Sequence, residues 1–230
     1  MKNFLLCIVL PFLAISCSEE SDFNPSANNY AIEAELVNSS KMPENKANPF
    51  DEKGKMYYDL LSAYLKENGV PNSISEVTKQ VQFISGEYDR SSHTKKVSIS
   101  VISEQVSWIM TDPENSLTEI IGISSLGAAA KLNLINFLKS LIEKKGYEYT
   151  ALYDYIVSYE ATILGSTTLD EDEKETILSV SSVSRYSLYA DSGHIDRDWE
   201  ISVANKKANK TIDSHNASIA AILALFERLF

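Results

Sequence analysis

The sequence predicts an all-α fold, an irregular bundle of about seven helices over residues 48–230. Apolar residues recur at spacings of three and four in several segments, which is the period of an amphipathic helix. Only one short segment alternates apolar and polar residues as a strand would, and no partner strand is apparent. With 44% hydrophobic residues, the chain can bury a substantial core.

The first predicted helix has clear signals at both ends. Asn48 can cap it, and Pro49 suits the first helical position. Two acidic residues follow and complement the positive end of the helix dipole. The helix should end at Gly69, because the apolar period stops there.

The second predicted helix begins with a capping-box pattern, Ser73 with Glu76. We predict a loop over residues 85–96, because this stretch is polar and contains a glycine. The valine and serine alternation of Val97–Val101 fits a strand, but an isolated strand would be unstable. We therefore favour a helix over 97–108, which a period of 3.6 residues also allows.

The middle of the chain contains several further helix signals. Asp112 and Pro113 can start an element that Gly122 and Gly127 interrupt. Two amphipathic helices follow, and the glycine between them suggests an antiparallel pair. Their apolar stripes are Leu132, Ile135, Leu138, Leu141 and Ile142 in the first, and Tyr149, Leu152, Ile156, Tyr159 and Ile163 in the second.

The last third of the chain should form two helices. Thr168 can cap the first, whose opening turn holds the acidic residues 170–173 beside the positive end of the dipole. Its segment 179–187 is rich in serine and valine, and small side chains allow close helix packing, so we predict a buried central helix. The final helix should run from about Lys206 to the C-terminus.

The N-terminus, residues 1–16, has the features of a lipoprotein signal peptide. A basic Lys2 precedes an apolar run from Phe4 to Ile15, and the small Ser16 follows. About twelve apolar residues are too few to cross a hydrocarbon core of about 30 Å as a helix.

Residues 13–17 resemble a bacterial lipobox, with Ala14 in place of the usual leucine. The resemblance implies cleavage before Cys17, lipidation of that residue and membrane attachment through acyl chains. Residues 17–47 should then form a flexible tether, because they are polar and contain turn-forming residues. The acidic residues just after Cys17 resemble a surface-export signal of Bacteroidetes-type lipoproteins, although an ordinary solvated spacer accounts for them equally well.

Charge and cysteine content exclude several functions. Removal of the leader takes away Lys2 and changes the net charge from −11 to −12, so no nucleic-acid partner is expected. Cys7 lies in the leader and Cys17 would be acylated. The mature domain would therefore have no disulfide, no cysteine nucleophile and no thiolate metal site.

Three features resemble a group of Bacteroidetes-type secreted lipoproteins. They are the N-P-F-D-x-x-G element from Asn48 to Gly54, the serine-rich segment 179–189 and the nearby Trp199. The chain departs from the group at Tyr57 and Tyr58, where a His-Asn pair is frequent, and in its Ala- and Leu-rich C-terminus. The resemblance implies an extracytoplasmic location, an outer-membrane lipoprotein of the cell envelope, and implies no activity.

One oxygen-rich segment is a candidate cation site. Asp191, His194, Asp196 and Asp198 could chelate a hard cation such as calcium, although their spacing is not that of an EF-hand. We favour a simple turn between helices, in which Gly193 ends the preceding helix, because turns select Asp, Ser and Gly for conformational reasons. No metal or cofactor is therefore expected.

Tyr147 and Tyr155 are candidates for an aromatic binding patch. They lie off the main apolar stripe of their helix, and tyrosine offers a rigid apolar face with a polar tip. Partial burial against a neighbouring helix explains them equally well.

The sequence contains none of the common catalytic motifs. A G-x-S-x-G elbow, an H-E-x-x-H signature, a phosphate-binding loop and a dinucleotide fingerprint are all absent. We therefore expect a non-enzymatic, membrane-anchored module that binds a protein, peptide or glycan outside the cytoplasm. A surface hydrolase acting on glycan or peptide is one alternative, since paired carboxylates cannot be recognised from spacing. An immunity or inhibitor-like lipoprotein is another.

Replacing Cys17 by serine should release the protein from the membrane, because two or more acyl chains hold a protein there stably. The variant should appear in the soluble envelope fraction or the medium, as checked by fractionation and intact mass. Cys7→Ser, within the leader, is the control that should stay membrane-bound. A Cys17→Ser protein that remains at the membrane with unchanged mobility would show that the lipoprotein interpretation is wrong.

Overall fold

A computed structural model describes residues 41–91, 103–204 and 212–226, and the fold is all-α. No strand is present in these residues, and the predicted fold class is confirmed. No helix within these ranges is long and apolar enough to span a membrane. The helices are α1 (Asp51–Asn68), α2 (Ile74–Ser91), α3 (Ser103–Thr111), α4 (Pro113–Gly122), α5 (Ala128–Glu143), α6 (Tyr149–Leu164), α7 (Glu171–Ala204) and α8 (Ser214–Leu225).

The 34-residue helix α7 is the centre of the bundle and contacts α1, α5, α6 and α8. The serines of segment 179–187 are buried, as predicted for a central helix whose small side chains allow close approach. Most of their hydroxyls are bonded within the fold. Ser184, for example, donates to the Val180 carbonyl at 2.8 Å. Such a bond lets a buried hydroxyl avoid the cost of an unmet donor.

Helix α8 completes the core from the other side. It is apolar around nearly its whole circumference and packs against α2, α3, α4 and α7. A helix with this composition is stable only when it is buried. It begins at Ser214, and Asp213 caps it by accepting from the Asn216 N–H at 3.3 Å. The predicted start near Lys206 lies outside the described residues, and Ile212 and Asp213 are not helical.

Two predicted helix caps differ in the structure. Helix α7 is capped by Asp170 and not by Thr168, because Asp170 and Glu173 form a reciprocal capping box with bonds of 2.8 and 3.2 Å. Helix α1 begins at Asp51, beyond Asn48. Asn48 instead fixes the chain before the helix and accepts from the Phe50 N–H at 2.9 Å.

Other predicted boundaries are correct. Asp112 caps α4 by accepting from the Asn115 N–H at 3.4 Å, and proline follows at the first helical position. At the start of α2, Ser73 accepts from the Glu76 N–H at 3.3 Å. Glu76 in turn accepts from the Asn72 N–H at 2.8 Å, one residue before the Ser73 N–H that the predicted capping box would use.

Part of the predicted loop over residues 85–96 is helical. Helix α2 continues through Gly86 to Ser91. Tyr88 is buried and donates its hydroxyl hydrogen bond to the Lys53 carbonyl of α1. This tertiary contact outweighs the cost of one glycine in a helix, about 1 kcal/mol. Residues 92–102, including the predicted helix start at 97, lie outside the described residues.

The face of α5 that is buried in the core differs from the predicted apolar stripe. Leu132 is 61% exposed, whereas Leu134 and Phe137 are buried. Phe137 stacks on Tyr159 of α6, with ring centroids 4.2 Å apart and planes inclined by 7°. This aromatic contact, which the period of the sequence does not reveal, determines which side of α5 faces the core.

Gly54 allows α1 and α7 to approach closely. A Cβ atom at this position would lie 2.6 Å from the Ser182 carbonyl oxygen of α7, and closer still to the Ser182 hydroxyl. The Gly54 N–H donates to the same hydroxyl at 3.2 Å. Glycine is therefore required here for space.

Gly54→Ala should destabilise the protein by about 1–3 kcal/mol, because the backbone of α7 cannot move aside without disturbing the core. Gly86→Ala is the matched control, since an added Cβ there meets no atom within 4 Å. That change should stabilise α2 by about 0.5–1 kcal/mol. Chemical denaturation of both variants measures the two effects, and similar effects of the two substitutions would contradict the close approach.

Candidate functional site

A buried polar cluster surrounds Arg185 of α7. The guanidinium is fully buried, with Nη2 2.5 Å from Asp51 Oδ1 and 3.2 Å from Glu160 Oε1. Nε also donates to Glu160 Oε1 at 3.2 Å. One arginine thus connects a carboxylate of α1 and a carboxylate of α6 to the central helix.

The Glu160 carboxylate is itself 0% exposed and is surrounded by donors. Asn48 and Ser181 donate to Oε1 at 2.7 and 2.9 Å, and Asn45 donates to Oε2 at 2.6 Å. With Arg185 added, these donors occupy most of the roughly four lone-pair positions of a carboxylate. The arrangement therefore holds the fold together and leaves little room for a substrate.

The charge state of Arg185 follows from its neighbours. Burial by itself lowers the pKa of a guanidinium, because the charged form loses its hydration. The charges of Glu160 and Asp51, together with their hydrogen bonds, outweigh this effect and raise the pKa of Arg185 above its ordinary value. The arginine remains protonated.

The same cluster holds the chain that leads into α1. Arg185 donates to the Pro43 carbonyl. Tyr153 of α6 donates to the Glu44 carbonyl at 2.8 Å. Residues 41–47, which the sequence analysis placed in the tether, are therefore bound to the helical domain. The remainder of the predicted tether, including Cys17, lies outside the described residues.

Hydrogen bonds continue along the contact between α1 and α7. Tyr186 donates to Asp51 Oδ2 at 3.1 Å, and Ser182 donates to the Asp51 carbonyl at 3.0 Å. Two turns further along α1, the hydroxyls of Tyr57 and Ser187 lie 3.1 Å apart. Both helices therefore run in the same direction, with the Arg185 cluster near one end of their interface.

A cavity of about 240 Å³ lies toward the other end of that interface, between α1, α2, α7 and the region of α8. Its lining contains both apolar and polar residues. The apolar residues are Leu61, Leu65, Val70, Pro71, Ala190, Ile212 and Ala217. The polar residues are Tyr57, Gln80, Ser187, Asp191, Ser214 and Ser218.

The polar residues of the lining include a neutral phenol and a carboxylate. Burial raises the pKa of Tyr57 to about 12. The hydrogen bond with Ser187 acts in the opposite direction, and the charge of Asp191 adds to the increase. Tyr57 is therefore protonated at neutral pH, and Asp191, only 7% exposed, is the one acidic residue of the described lining.

The described lining contains no lysine, arginine or histidine. In the parts of the chain that the structure describes, no group of three or more His, Cys, Asp or Glu side chains is placed to hold a metal ion. The cavity is thus suited to hold a ligand through apolar contact and hydrogen bonds.

The predicted turn around Asp191 is wrong, because residues 191–198 belong to the continuous helix α7. Gly193 does not end the helix, since packing of the residues before it outweighs its propensity cost of about 1 kcal/mol. Asp191 lines the cavity, whereas the side chains of His194, Asp196 and Asp198 lie outside the described part.

The two tyrosines of the predicted aromatic patch lie beside one lysine. Lys144 Nζ is 5.6 Å from the ring centroid of Tyr147 and 4.9 Å from that of Tyr155. Tyr147 is 58% exposed, but Tyr155 is half-buried and stacks on Phe137. Only Tyr147 offers a largely exposed ring, so the pair does not form a broad open platform.

Arg185, Glu160 and Asp51 form a unit that the helical periods and caps of the sequence do not predict. A signal was available, because Arg185 is the only charged residue in 176–190 and Glu160 is the only one in 155–169. A single charge within a long helical segment of small and apolar residues indicates a buried group that needs a partner.

Comparisons of the chain with protein-family models, curated proteins and solved structures find no match.

Arg185→Met should destabilise the protein by about 3–5 kcal/mol, because it leaves two carboxylates near the core without their cation. Lys55→Met is the control, since Lys55 forms an exposed pair with Asp59 on α1 and its removal should change stability little. Urea denaturation of both variants gives the comparison. Equal effects would mean that the buried cluster stabilises the fold no more than a surface pair does.

Proposed function

We propose that this chain is a lipid-anchored, extracytoplasmic binding module of the outer membrane, and that its ligand occupies the cavity between α1, α2, α7 and α8. The cavity carries this proposal, because it combines a volume of about 240 Å³ with a lining of both apolar and polar residues. Ligand sites in proteins typically have this composition, mostly apolar with a few polar groups that orient the ligand.

The volume limits the size of the ligand. An apolar cavity of about 150 Å³ is large enough to hold benzene. A site of about 240 Å³ therefore suits a bicyclic aromatic molecule, a short alkyl chain or one large side chain of a peptide. A folded protein or an extended glycan could place only one group in it.

The proposed location rests on the sequence of the N-terminus. The predicted signal peptide and lipobox support acylation at Cys17, and the resemblance to Bacteroidetes-type lipoproteins supports an envelope location. Residues 41–47 are bound to α6 and α7, so the proposed tether would end before residue 41.

The arrangement of acidic groups favours binding over hydrolysis. Asp51 and Glu160 converge on Arg185, but donors from the protein surround both carboxylates. The described lining of the cavity has Asp191 as its single carboxylate and no histidine. A glycosidase needs two opposed carboxyl groups and a triad hydrolase needs a Ser-His pair, so neither arrangement is supported here.

A larger side chain in the cavity should weaken the binding of a neutral aromatic alcohol. We expect 2-naphthalenemethanol to bind the full-length chain carrying Cys17→Ser, which needs no detergent that would compete for the site. Ala217→Leu adds three carbon atoms to the cavity lining and should weaken this binding at least ten-fold, as measured by titration calorimetry. The melting temperature should be unchanged or higher, because the new side chain fills empty volume.

Ala161→Leu is the matched control, since Ala161 is an exposed helical residue of α6 outside the cavity lining. It should leave probe affinity unchanged. The proposal would be overturned if the parent chain showed no saturable binding, or if Ala217→Leu bound the probe as well as the parent does.

A further inference from the structure

We propose that Gln80 determines the specificity of the cavity and selects ligands that carry a neutral carboxamide, which pairs with the carboxamide of Gln80. This inference rests on the proposed function, since it names the chemical class of ligand for the same site. It depends on three polar side chains of the cavity lining, Gln80 of α2 and Ser214 and Ser218 of α8.

These three side chains line the cavity and form no hydrogen bonds that hold the fold together. Gln80, Ser214 and Ser218 are each partly exposed. Within the part of the chain that the structure describes, their side chains have no hydrogen-bond partner. Polar groups inside proteins are nearly always hydrogen-bonded, so polar groups that line a cavity without a partner are available to a ligand.

The hydroxyl of Ser218 differs from other hydroxyls in the bundle. Hydroxyls within helices commonly donate to the carbonyl four residues earlier. Thr78 of α2 and Ser184 of α7 each do so at 2.8 Å. Ser218 also lies within a helix, but among the described residues it forms no such bond. Its hydroxyl can therefore both donate to and accept from a ligand.

The helices bring these groups around one space. Ser214 and Ser218 are four residues apart, about one turn, so they lie on the same face of α8. Helix α8 packs against α2, which carries Gln80. The cavity therefore combines a carboxamide from one helix with two hydroxyls from another.

The chemistry of the Gln80 side chain indicates which ligand group it binds best. A carboxamide has one acceptor oxygen and an NH2 group with two donors. A ligand with a donor and an acceptor side by side can form two hydrogen bonds with it at once. A second carboxamide fits this pattern, because its N–H donates to the Gln80 oxygen while its own oxygen accepts from Gln80 Nε2. Its remaining N–H can donate to a hydroxyl such as that of Ser214 or Ser218.

The rest of the ligand should be hydrocarbon. The lining also contains apolar side chains, among them Leu61, Leu65 and Ala217, which cannot hydrogen-bond. Burial of hydrocarbon against them contributes to affinity, and a neutral carboxamide loses less hydration on burial than an ion does. The ligand class is therefore a small hydrocarbon body that carries one carboxamide.

Two ligands of nearly equal shape test this inference, 2-naphthamide and 2-acetonaphthone. They share the naphthalene body and the carbonyl group, and the NH2 group of the amide is replaced by a methyl group in the ketone. With the full-length Cys17→Ser chain, the amide should bind at least ten-fold more tightly, a difference of about 1.4 kcal/mol or more. The physical reason is that the ketone has no N–H to donate to the Gln80 oxygen. Titration calorimetry measures both affinities.

Gln80→Met keeps the length of the side chain and removes its carboxamide. It should reduce the preference for the amide over the ketone at least ten-fold. Gln82→Met is the matched control, an exposed change on the same helix outside the cavity lining, and it should leave that preference unaltered. The pair of ligands on the parent chain decides the question even if the Gln80 variant does not fold.

The outcomes distinguish this inference from the proposed function. If the ketone binds the parent chain as tightly as the amide, carboxamide selectivity is wrong, while binding that Ala217→Leu weakens still supports the cavity as the site. If Gln80→Met folds and leaves the preference unchanged, the assigned role of Gln80 is wrong. If neither ligand binds, this inference fails, and the proposed function fails with it when 2-naphthalenemethanol does not bind either.

Discussion

The fold depends on burying the positive charge of Arg185 in the middle of a bundle. An unpaired guanidinium in such a place would cost several kcal/mol, so the surrounding elements must supply its partners. Glu160 of α6, Asp51 of α1 and the Pro43 carbonyl meet this requirement from three directions. Arg185 of α7 therefore links α1, α6 and the chain that enters α1, and its bond to Pro43 is one of the contacts that bind residues 41–47 to the domain.

The proposed binding site is a consequence of the same interface. Gly54 allows α1 to lie directly against α7 near Asp51, and Tyr57 bonds to Ser187 one turn further on. Beyond that point Leu61 and Leu65 line the cavity. The close packing of α1 and α7 near Arg185 thus positions the helices that form the cavity. The proposed ligand would bind to a cavity that is already formed.

Much of the fold follows from local sequence, but the polar cluster does not. The 3.6-residue period reveals the helices, and local caps such as Asp112 mark their starts, because these signals act within one turn. Glu160 and Arg185 are 25 positions apart and Asp51 is a further hundred residues away, so only tertiary packing brings them together. Local chemistry also misled at Asp191, where turn-forming residues lie within a helix that is stabilised by contacts with the rest of the bundle.

A double-mutant cycle on Arg185 and Glu160 tests most directly whether the buried cluster governs the fold. The free energy of unfolding would be measured for the parent chain, for Arg185→Met, for Glu160→Gln and for the double variant. If the two groups stabilise the fold through each other, the double variant should lose less stability than the sum of the single variants, with a coupling of about 2 kcal/mol or more. Effects that add to within about 0.5 kcal/mol would contradict the account, because two groups that depend on each other cannot act independently.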